Sequence, residues 1–335
     1  MKKLLICLIC FCVTLAAFAQ TNTTTAALPT FASKSITLHD SVRNKDLPLR
    51  VTYPIAGGKF PVIVFSHGAG GSGDGYLGLT QHWAANGYIC LQPTHEDSVQ
   101  LRRQAGERIT SIWDVLEDAD QPERWTSRIK DIELILDSLD QIDRQVPEIK
   151  GRMDRAHIGV GGHSLGALTA ALVGGATIQM PNLKGLQSFK DDRARAILLL
   201  SPQGPFANGF TNDSWKEMRS PTMVMTGSRD RGSAGQDADW RTAAFKFSPA
   251  GDKYLLFIHD ASHMSFSGRL AEGKGLFGRP APKSDIDEGA IFDWVKTASL
   301  AFWDCYLKND KEAQDFLKSD SLAKDSGGEI RYERR

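Results

Sequence analysis

The chain has 335 residues, 41% of them hydrophobic, and its 40 Lys+Arg are matched by 40 Asp+Glu. That length permits one large domain or two or three small ones. The charge balance argues against nucleic acid or an anionic membrane as the main partner.

The N-terminus reads as a leader rather than as fold. Lys2 and Lys3 precede the apolar run Leu4 to Leu15, and Ala17-Phe18-Ala19 supplies an A-x-A site before Gln20. This is the pattern of a secretory signal peptide over residues 1–19. No small residue directly precedes Cys7, Cys10 or Cys12, so a lipid anchor is not expected. No later stretch is apolar enough to span a bilayer. The expectation is an exported protein, periplasmic or extracellular in a bacterium, without a stable membrane anchor. Residues 20–34 are Thr/Ala-rich and are expected to be disordered, leaving 35–335 as a single domain.

Within that domain, Ser35–Leu38 and Leu49–Tyr53 suggest two opening strands with Asn44-Lys45-Asp46 as their turn. Short apolar runs then recur at 61–66, 87–92, 156–161, 195–200, 221–227 and 253–259, which makes eight strands. Helical patterns occupy 77–86, 125–145, 164–175 and 287–308. Alternating strand and helix predicts one α/β domain around a mostly parallel sheet, with helices on both faces. Cys90 and Cys305 both fall in elements expected to be buried, so no disulfide is expected between them. No Cys/His cluster has metal spacing, and His95-Glu96-Asp97 is too compact to ligate one ion well. No cofactor is implied.

The chemistry concentrates where strands end. The run Ile158–Val160 leads into Gly162-His163-Ser164-Leu165-Gly166, followed by an Ala/Leu-rich helix. G-x-S-x-G between a strand and a helix is a nucleophile elbow, a turn so sharp that the serine is strained and its hydroxyl stands clear. Gly162 and Gly166 are required because a larger neighbour would collide across the turn. A serine alone is a poor nucleophile and needs a base and an orienting acid, in the chain order Ser, Asp/Glu, His. Asp230 follows the strand that ends at Gly227, and His263 lies in the loop after the strand that ends near His259. His259 competes as base but belongs to the strand itself. Asp237 and Asp239 compete as acid but lie further along a Gly/Ala-rich loop. The strand 61–66 runs into His67-Gly68-Ala69-Gly70-Gly71, a loop whose amides are little crowded. The backbone N–H groups of Ala69 and Leu165 are therefore the expected oxyanion donors. No Lys-Ser/Thr pair follows the glycines, which excludes a P-loop.

These segments resemble the α/β-hydrolase superfamily: Phe65–Ser72, Gly161–Ala167, Thr226–Asp230 and Ala261–His263 carry the likeness. The nearest branch is the predicted dienelactone hydrolases, with platelet-activating-factor acetylhydrolases and bacterial cutinase-like polyesterases as relatives. The similarity extends from about Ser35 to the end. It implies an eight-stranded, mostly parallel sheet and hydrolysis of carboxylic esters without a metal. Two departures matter. Acetylhydrolases of that type carry their acid after the sixth strand, which here ends in Ser201-Pro202, so the acid must come from the seventh. Dienelactone enzymes use a cysteine nucleophile where this chain has Ser164, so that family's substrate does not transfer.

The expected function is serine-dependent hydrolysis of carboxylic esters, of small or polymeric substrates, with amidase, thioesterase and polyester hydrolase as variants on the same residues. A binding protein that has kept the fold is the rival, disfavoured because every part stands in order. Three long connections, Ser98–Arg124, Gln203–Arg219 and Ser265–Asp287, are expected to shape the pocket. Trp113, Trp125 and Trp215 are expected to pack these loops down. Lacking an amphipathic lid helix, the pocket is expected to be small and suited to short acyl or aromatic groups.

Overall fold

The computed structural model describes residues 30–273 and 283–335. The signal peptide expected over 1–19, and Leu276, Phe277 and Pro280 of the third long connection, lie outside the described residues.

The chain opens with a hairpin, β1 (Phe31–Asp40) and β2 (Lys45–Pro54), paired antiparallel with Phe31 opposite Pro54. The strand thus begins four residues before Ser35: Phe31 to Lys34 form the outer part of β1 rather than disordered chain. Alternate residues of β1 face the core, which allows a polar sequence to pair as an edge strand.

Strands and helices then alternate: β3 (Phe60–Ser66), α1 (Leu77–Ala85), β4 (Ile89–Pro93), α2 (Val99–Gln104), α3 (Ile112–Ala119), α4 (Pro122–Asp137) and α5 (Leu139–Gln145). Next come β5 (Met153–His163), α6 (Leu165–Val173), a small hairpin of β6 (Thr177–Gln179) and β7 (Leu186–Ser188), then β8 (Ala194–Leu200) and β9 (Thr222–Gly227). The chain finishes with α7 (Ala243–Phe247), β10 (Lys253–Ile258), α8 (Glu288–Leu307), α9 (Lys311–Lys318), α10 (Ser321–Asp325) and β11 (Ile330–Arg334).

Nine strands form the main sheet in the order β1-β2-β4-β3-β5-β8-β9-β10-β11. All neighbours from β4 across to β10 run parallel. The α/β-hydrolase architecture holds, with the eight expected strands joined by β11 as an antiparallel edge beside β10.

Parallel strands buried on both faces read as continuous apolar runs. Val62, Ile63, Val64 and Phe65 of β3 are all buried, as are Ile197 to Leu200 of β8. One face packs α4, α5 and α6, through Ile129, Ile132 and Leu168 among others. The other packs α1 and α8, where Trp83 meets Trp303 edge-on with ring centroids 5.9 Å apart. Each fully buried aliphatic or aromatic side chain contributes roughly 1.5–3 kcal/mol. Cys90 and Cys305 are both buried and unpaired. No described helix is long and apolar enough to cross a membrane. The sheet presents the carboxyl ends of β3, β5, β8, β9 and β10 along one side, where a doubly wound sheet gathers its functional loops.

Candidate active site

Ser164 sits between the end of β5 and the first residue of α6, with φ 56° and ψ −119°. A non-glycine residue at positive φ stores strain that the surroundings must hold in place. They do so from two sides. Ser164 N–H donates to Leu200 O at 3.0 Å, and its own carbonyl accepts from Ala167 and Leu168 as α6 begins. All nine residues of α6 are buried, so the helix cannot shift to relieve the turn. A Cβ on Gly162 would collide with the backbone of Gly166, and one on Gly166 with the carbonyl of Ser66. The two elbow glycines are therefore set by contact with backbone, which cannot move aside.

Asp230 follows β9 and is fully buried, and both oxygens of its carboxylate are engaged. Oδ1 accepts from His263 Nδ1 at 2.9 Å and is ion-paired with Arg241, whose Nε lies 2.8 Å away and donates to the Asp230 backbone carbonyl. Oδ2 accepts from Ser201 Oγ at 2.5 Å and Thr226 Oγ1 at 2.9 Å. Burial pushes this carboxyl up, but His263, Arg241 and Ser201 outweigh it and hold it at about 2, so Asp230 is ionised. Arg241 also donates to the carbonyls of Ser201, Pro202 and Arg231, tying the ends of β8 and β9 to the carboxylate.

His263 lies in the loop after β10, and its Nδ1 reaches both Asp230 and Ser201 Oγ, the latter at 2.6 Å. Ser201 donates its proton to Asp230, so its oxygen shares the Nδ1 proton with the carboxylate, an arrangement in which Nε2 is the acceptor of the neutral ring. Ser201 occupies the end of β8, the strand counted sixth in the sequence, at φ 52°. A residue passed over as merely not an acid thus touches both acid and imidazole. His259 is solvent-facing and pairs with Glu329 at 2.9 Å, away from Asp230. Asp237 caps a short helical turn by accepting from Trp240 N–H, and Asp239 pairs with Lys246 and Arg331. The expected competitors are occupied elsewhere.

His163, the x of the elbow motif, has its own task. Its Nε2 lies 2.7 Å from His263 O, which only accepts, so Nε2 carries the proton and Nδ1 accepts from Tyr76 Oη at 2.7 Å. Tyr76 Oη in turn accepts from Gly68 N–H at 3.3 Å. The chain Gly68–Tyr76–His163–His263 ties the glycine loop, the elbow and the imidazole loop together. Burial, with the neighbouring His263, lowers the His163 imidazole to about 3 and keeps it neutral, as this pattern requires. A Cβ on Gly68 would lie 3.2 Å from both His163 Nδ1 and Tyr76 Oη, which explains the glycine there. In the loop after β3, Gly68 N–H is taken by Tyr76 and Gly70 N–H by Asp97 Oδ2 at 3.0 Å. The Ala69 N–H stands between them.

Gly68, Ala69, Ser164, Leu165 and His263 all line one cleft of about 1550 Å³. Among the described residues no hydrogen bond joins Ser164 Oγ to His263; the two share the cleft wall. Such bonds are often long in unliganded sites. The small pocket expected from the sequence is overturned by this volume. All three long connections contribute to its wall: Val99 and Trp113 from the first, Phe206 from the second, Ser267 and Arg269 from the third. Trp125 and Trp215 do pack down as expected, but Trp113 is 68% exposed and Phe206 79%, at the cleft. Among the described residues no group of three or more His, Cys, Asp or Glu is arranged to hold a metal ion.

Residues 28–330 match the family described as platelet-activating factor acetylhydrolase, isoform II. Two relatives carry the name platelet-activating factor acetylhydrolase. That of Cavia porcellus is 23% identical over 322 residues, covering 88% of this chain and 68% of the relative. That of Canis lupus familiaris is 25% identical over 313 residues, covering 83% of this chain and 62% of the relative. The chain therefore spans about two thirds of the length of these relatives.

Proposed function

This chain belongs to the platelet-activating factor acetylhydrolase, isoform II, family, and on that premise we propose that it is an exported serine hydrolase of carboxylic esters. The observation that carries the proposal is the ionised, hydrogen-bonded and ion-paired Asp230 that orients His263, on the wall of the same cleft as the strained Ser164. Ser164 Oγ attacks the ester carbonyl carbon as His263 Nε2 takes its proton. The oxyanion rests on the Ala69 and Leu165 amides, each such donor supplying roughly 3–4 kcal/mol. The ester C–O bond then breaks, His263 gives its proton to the departing alcohol, and an acyl-enzyme remains. Water, activated by His263, cleaves it and regenerates the serine.

For the substrate we propose a short acyl group, acetyl to hexanoyl, on a larger alcohol. Two acetylhydrolase relatives support the acyl side, and a cleft of about 1550 Å³ leaves ample room for the alcohol. Exposed Trp113 and Phe206 at that cleft favour a second reading, in which the ester belongs to a polymer chain lying along it. Neither reading calls for nucleic acid or a membrane anchor. Export rests on the leader pattern of residues 1–19.

A fluorophosphonate probe tests the reaction class. The wild-type chain should be labelled at Ser164 and should hydrolyse p-nitrophenyl acetate, and Ser164→Ala should do neither. Labelling elsewhere, or turnover by the alanine variant, would overturn the reading. A p-nitrophenyl ester series from acetyl to palmitoyl should show the highest kcat/KM at the short end. A jump in rate as droplets appear, with preference for long acyl chains, would point to a lipase instead.

A further inference from the structure

We propose that Arg128 and His67, which lie away from the reacting atoms, are positioning residues that aim the Ala69 N–H into the cleft by gripping the other end of its peptide bond. The inference deepens the reading above and depends on it.

The argument is one of peptide geometry. In a trans peptide the carbonyl of one residue and the N–H of the next point in opposite directions and are locked by a barrier of roughly 18–20 kcal/mol. The N–H of Ala69 and the carbonyl of Gly68 belong to one such unit, and the described chain has no cis bond. Holding the Gly68 carbonyl therefore sets the direction of the Ala69 amide. Three donors hold that oxygen: His67 Nδ1 at 2.7 Å, Gly71 N–H at 3.0 Å and Arg128 Nη2 at 3.2 Å. Arg128 Nη1 takes the preceding carbonyl, His67 O, at 2.6 Å. Two successive carbonyls of the loop are turned toward one guanidinium.

Each gripping group is itself held. Arg128 is 1% exposed and forks onto Asp97, with Nε to Oδ1 at 2.9 Å and Nη2 to Oδ2 at 2.8 Å. Asp97 Oδ2 also accepts from Gly70 N–H, so the same ion pair fixes the peptide on the far side of Ala69. His67 Nε2 accepts from the His95 backbone N–H at 3.0 Å, which places its proton on Nδ1, facing the Gly68 carbonyl. Burial and the Arg128 charge keep His67 neutral, the only form that can both accept at Nε2 and donate at Nδ1. An arginine in the middle of the apolar stripe of α4 thus reaches 60 residues back in the chain to orient a backbone amide. A buried ion pair is costly to desolvate, and its retention beside the cleft fits a positioning role.

A donor that is present but misdirected should cost the transition state and spare substrate binding. The test measures kcat and KM for p-nitrophenyl acetate per fluorophosphonate-titrated site, with inhibition by a trifluoromethyl ketone that forms the tetrahedral adduct. In His67→Leu and Arg128→Met, kcat per site should fall about 10²–10³-fold, with KM within about threefold and ketone inhibition weakened in parallel. His67→Asn, whose amide N–H can reach the same carbonyl, should recover most of that loss. Arg128→Met leaves Asp97 unpaired and is the variant at risk of not folding; His67→Leu keeps the ion pair and decides the question alone. Wild-type kcat per site in folded His67→Leu, or a loss confined to KM, would overturn the inference. If Ser164→Ala is dead in the same assay, that result leaves the ester-hydrolase reading standing; if it is active, that reading has failed independently.

Discussion

Among the described residues a second Ser, His and Asp trio lies beneath the one at the cleft, and the two differ in their access to that cleft. Beneath the glycine loop, Ser66 Oγ lies 2.9 Å from His95 Nε2, and His95 Nδ1 lies 2.8 Å from Asp131 Oδ2. All three residues are completely buried. Asp131 must be the acceptor for Nδ1–H, so His95 Nε2 accepts from the serine, in the order a charge relay would need. Burial lowers the His95 imidazole, aided by the Arg128 charge, so it is neutral. Arg128 Nη1 donates to Ser66 Oγ at 3.2 Å, and Arg43 and Lys45 hold Asp131 Oδ1 at 2.8 and 3.0 Å. The inner trio differs from Ser164, His263 and Asp230 in three physical respects. Its serine is in regular strand rather than a strained turn. It is sealed from solvent and lines no part of the cleft. A guanidinium, instead of free backbone amides, faces its oxygen. On the proposed reading, connectivity among the three residue types does not suffice to make a nucleophile; access, backbone strain and facing amides set Ser164 apart.

Single substitutions break this comparison most sharply. Ser164→Ala should lower kcat on the order of 10⁵–10⁶-fold, with stability little changed. Ser66→Ala should keep kcat per folded molecule within about tenfold and lower stability by about 1–3 kcal/mol, because His95 Nε2 loses its donor. Measuring p-nitrophenyl acetate turnover beside urea unfolding separates the two. Equal losses of activity would mean that the inner trio takes part in the reaction.

The acids give the next largest contrast. Asp230→Asn should reduce kcat about 10⁴-fold as the imidazole loses its orienting carboxylate. Asp131→Asn should instead destabilise by about 3–5 kcal/mol, since Arg43 and Lys45 lose a buried partner, with activity per folded molecule retained. Normal turnover in Asp230→Asn together with a dead Asp237 or Asp239 variant would move the acid. His263→Ala should be as inactive as the serine variant and His259→Ala close to wild type.

A smaller effect sharpens the role of the elbow histidine. Tyr76→Phe removes the donor to buried His163 Nδ1 and one bridge to Gly68, and should cost about tenfold in kcat. An unchanged rate would mean that the elbow and imidazole loops are held in register without this chain. The pH dependence of stability is the gentlest test. His67, His95 and His163 are all lowered from the usual 6.5. Below that pH the unfolded chain takes up protons that the folded chain excludes, so stability falls as pH drops. Each histidine contributes up to about 1.4 kcal/mol per pH unit. Denaturation midpoints should therefore fall from pH 7.5 to pH 5; a flat profile would mean that these rings charge in place.

The sequence made the local parts of this site legible and hid the long-range ones. Ser164, Asp230 and His263 each stand at the end of an apolar run, so strand periodicity alone brings them to one side of the sheet. The elbow glycines are readable because their constraint is steric and lies within the five residues Gly162 to Gly166. In the sequence Ser201 marks only a position without an acid, because a hydroxyl's role depends on what lies within 3 Å of it. Tyr76 and His163 meet across 87 residues, and Arg128 meets Gly68 across 60. One signal for Arg128 was nonetheless present. It shares the buried stripe of α4 with Trp125, Ile129 and Ile132, where a charge demands a partner. His95 and Asp97, too closely spaced in sequence to hold a metal, bond instead to His67 and Gly70 of the glycine loop. β11 escaped because Ile330-Arg331-Tyr332-Glu333-Arg334 alternates as an edge strand does, with only Ile330 fully buried.

The exposure of Trp113 gives the protein an optical handle. Trp83, Trp215 and Trp303 are sealed in the interior, Trp125 is buried at the cleft, Trp240 and Trp294 are half-buried, and Trp113 stands 68% in water on the cleft wall. Its indole should emit at the red side of the tryptophan spectrum and be the one most readily quenched by iodide. A molecule settling in the cleft would shield that ring and shift its emission to the blue, reporting occupancy without any chemistry taking place. Paired with Ser164→Ala, which holds a bound ester without consuming it, this signal measures affinity for the intact substrate and so ranks candidate alcohols by binding alone.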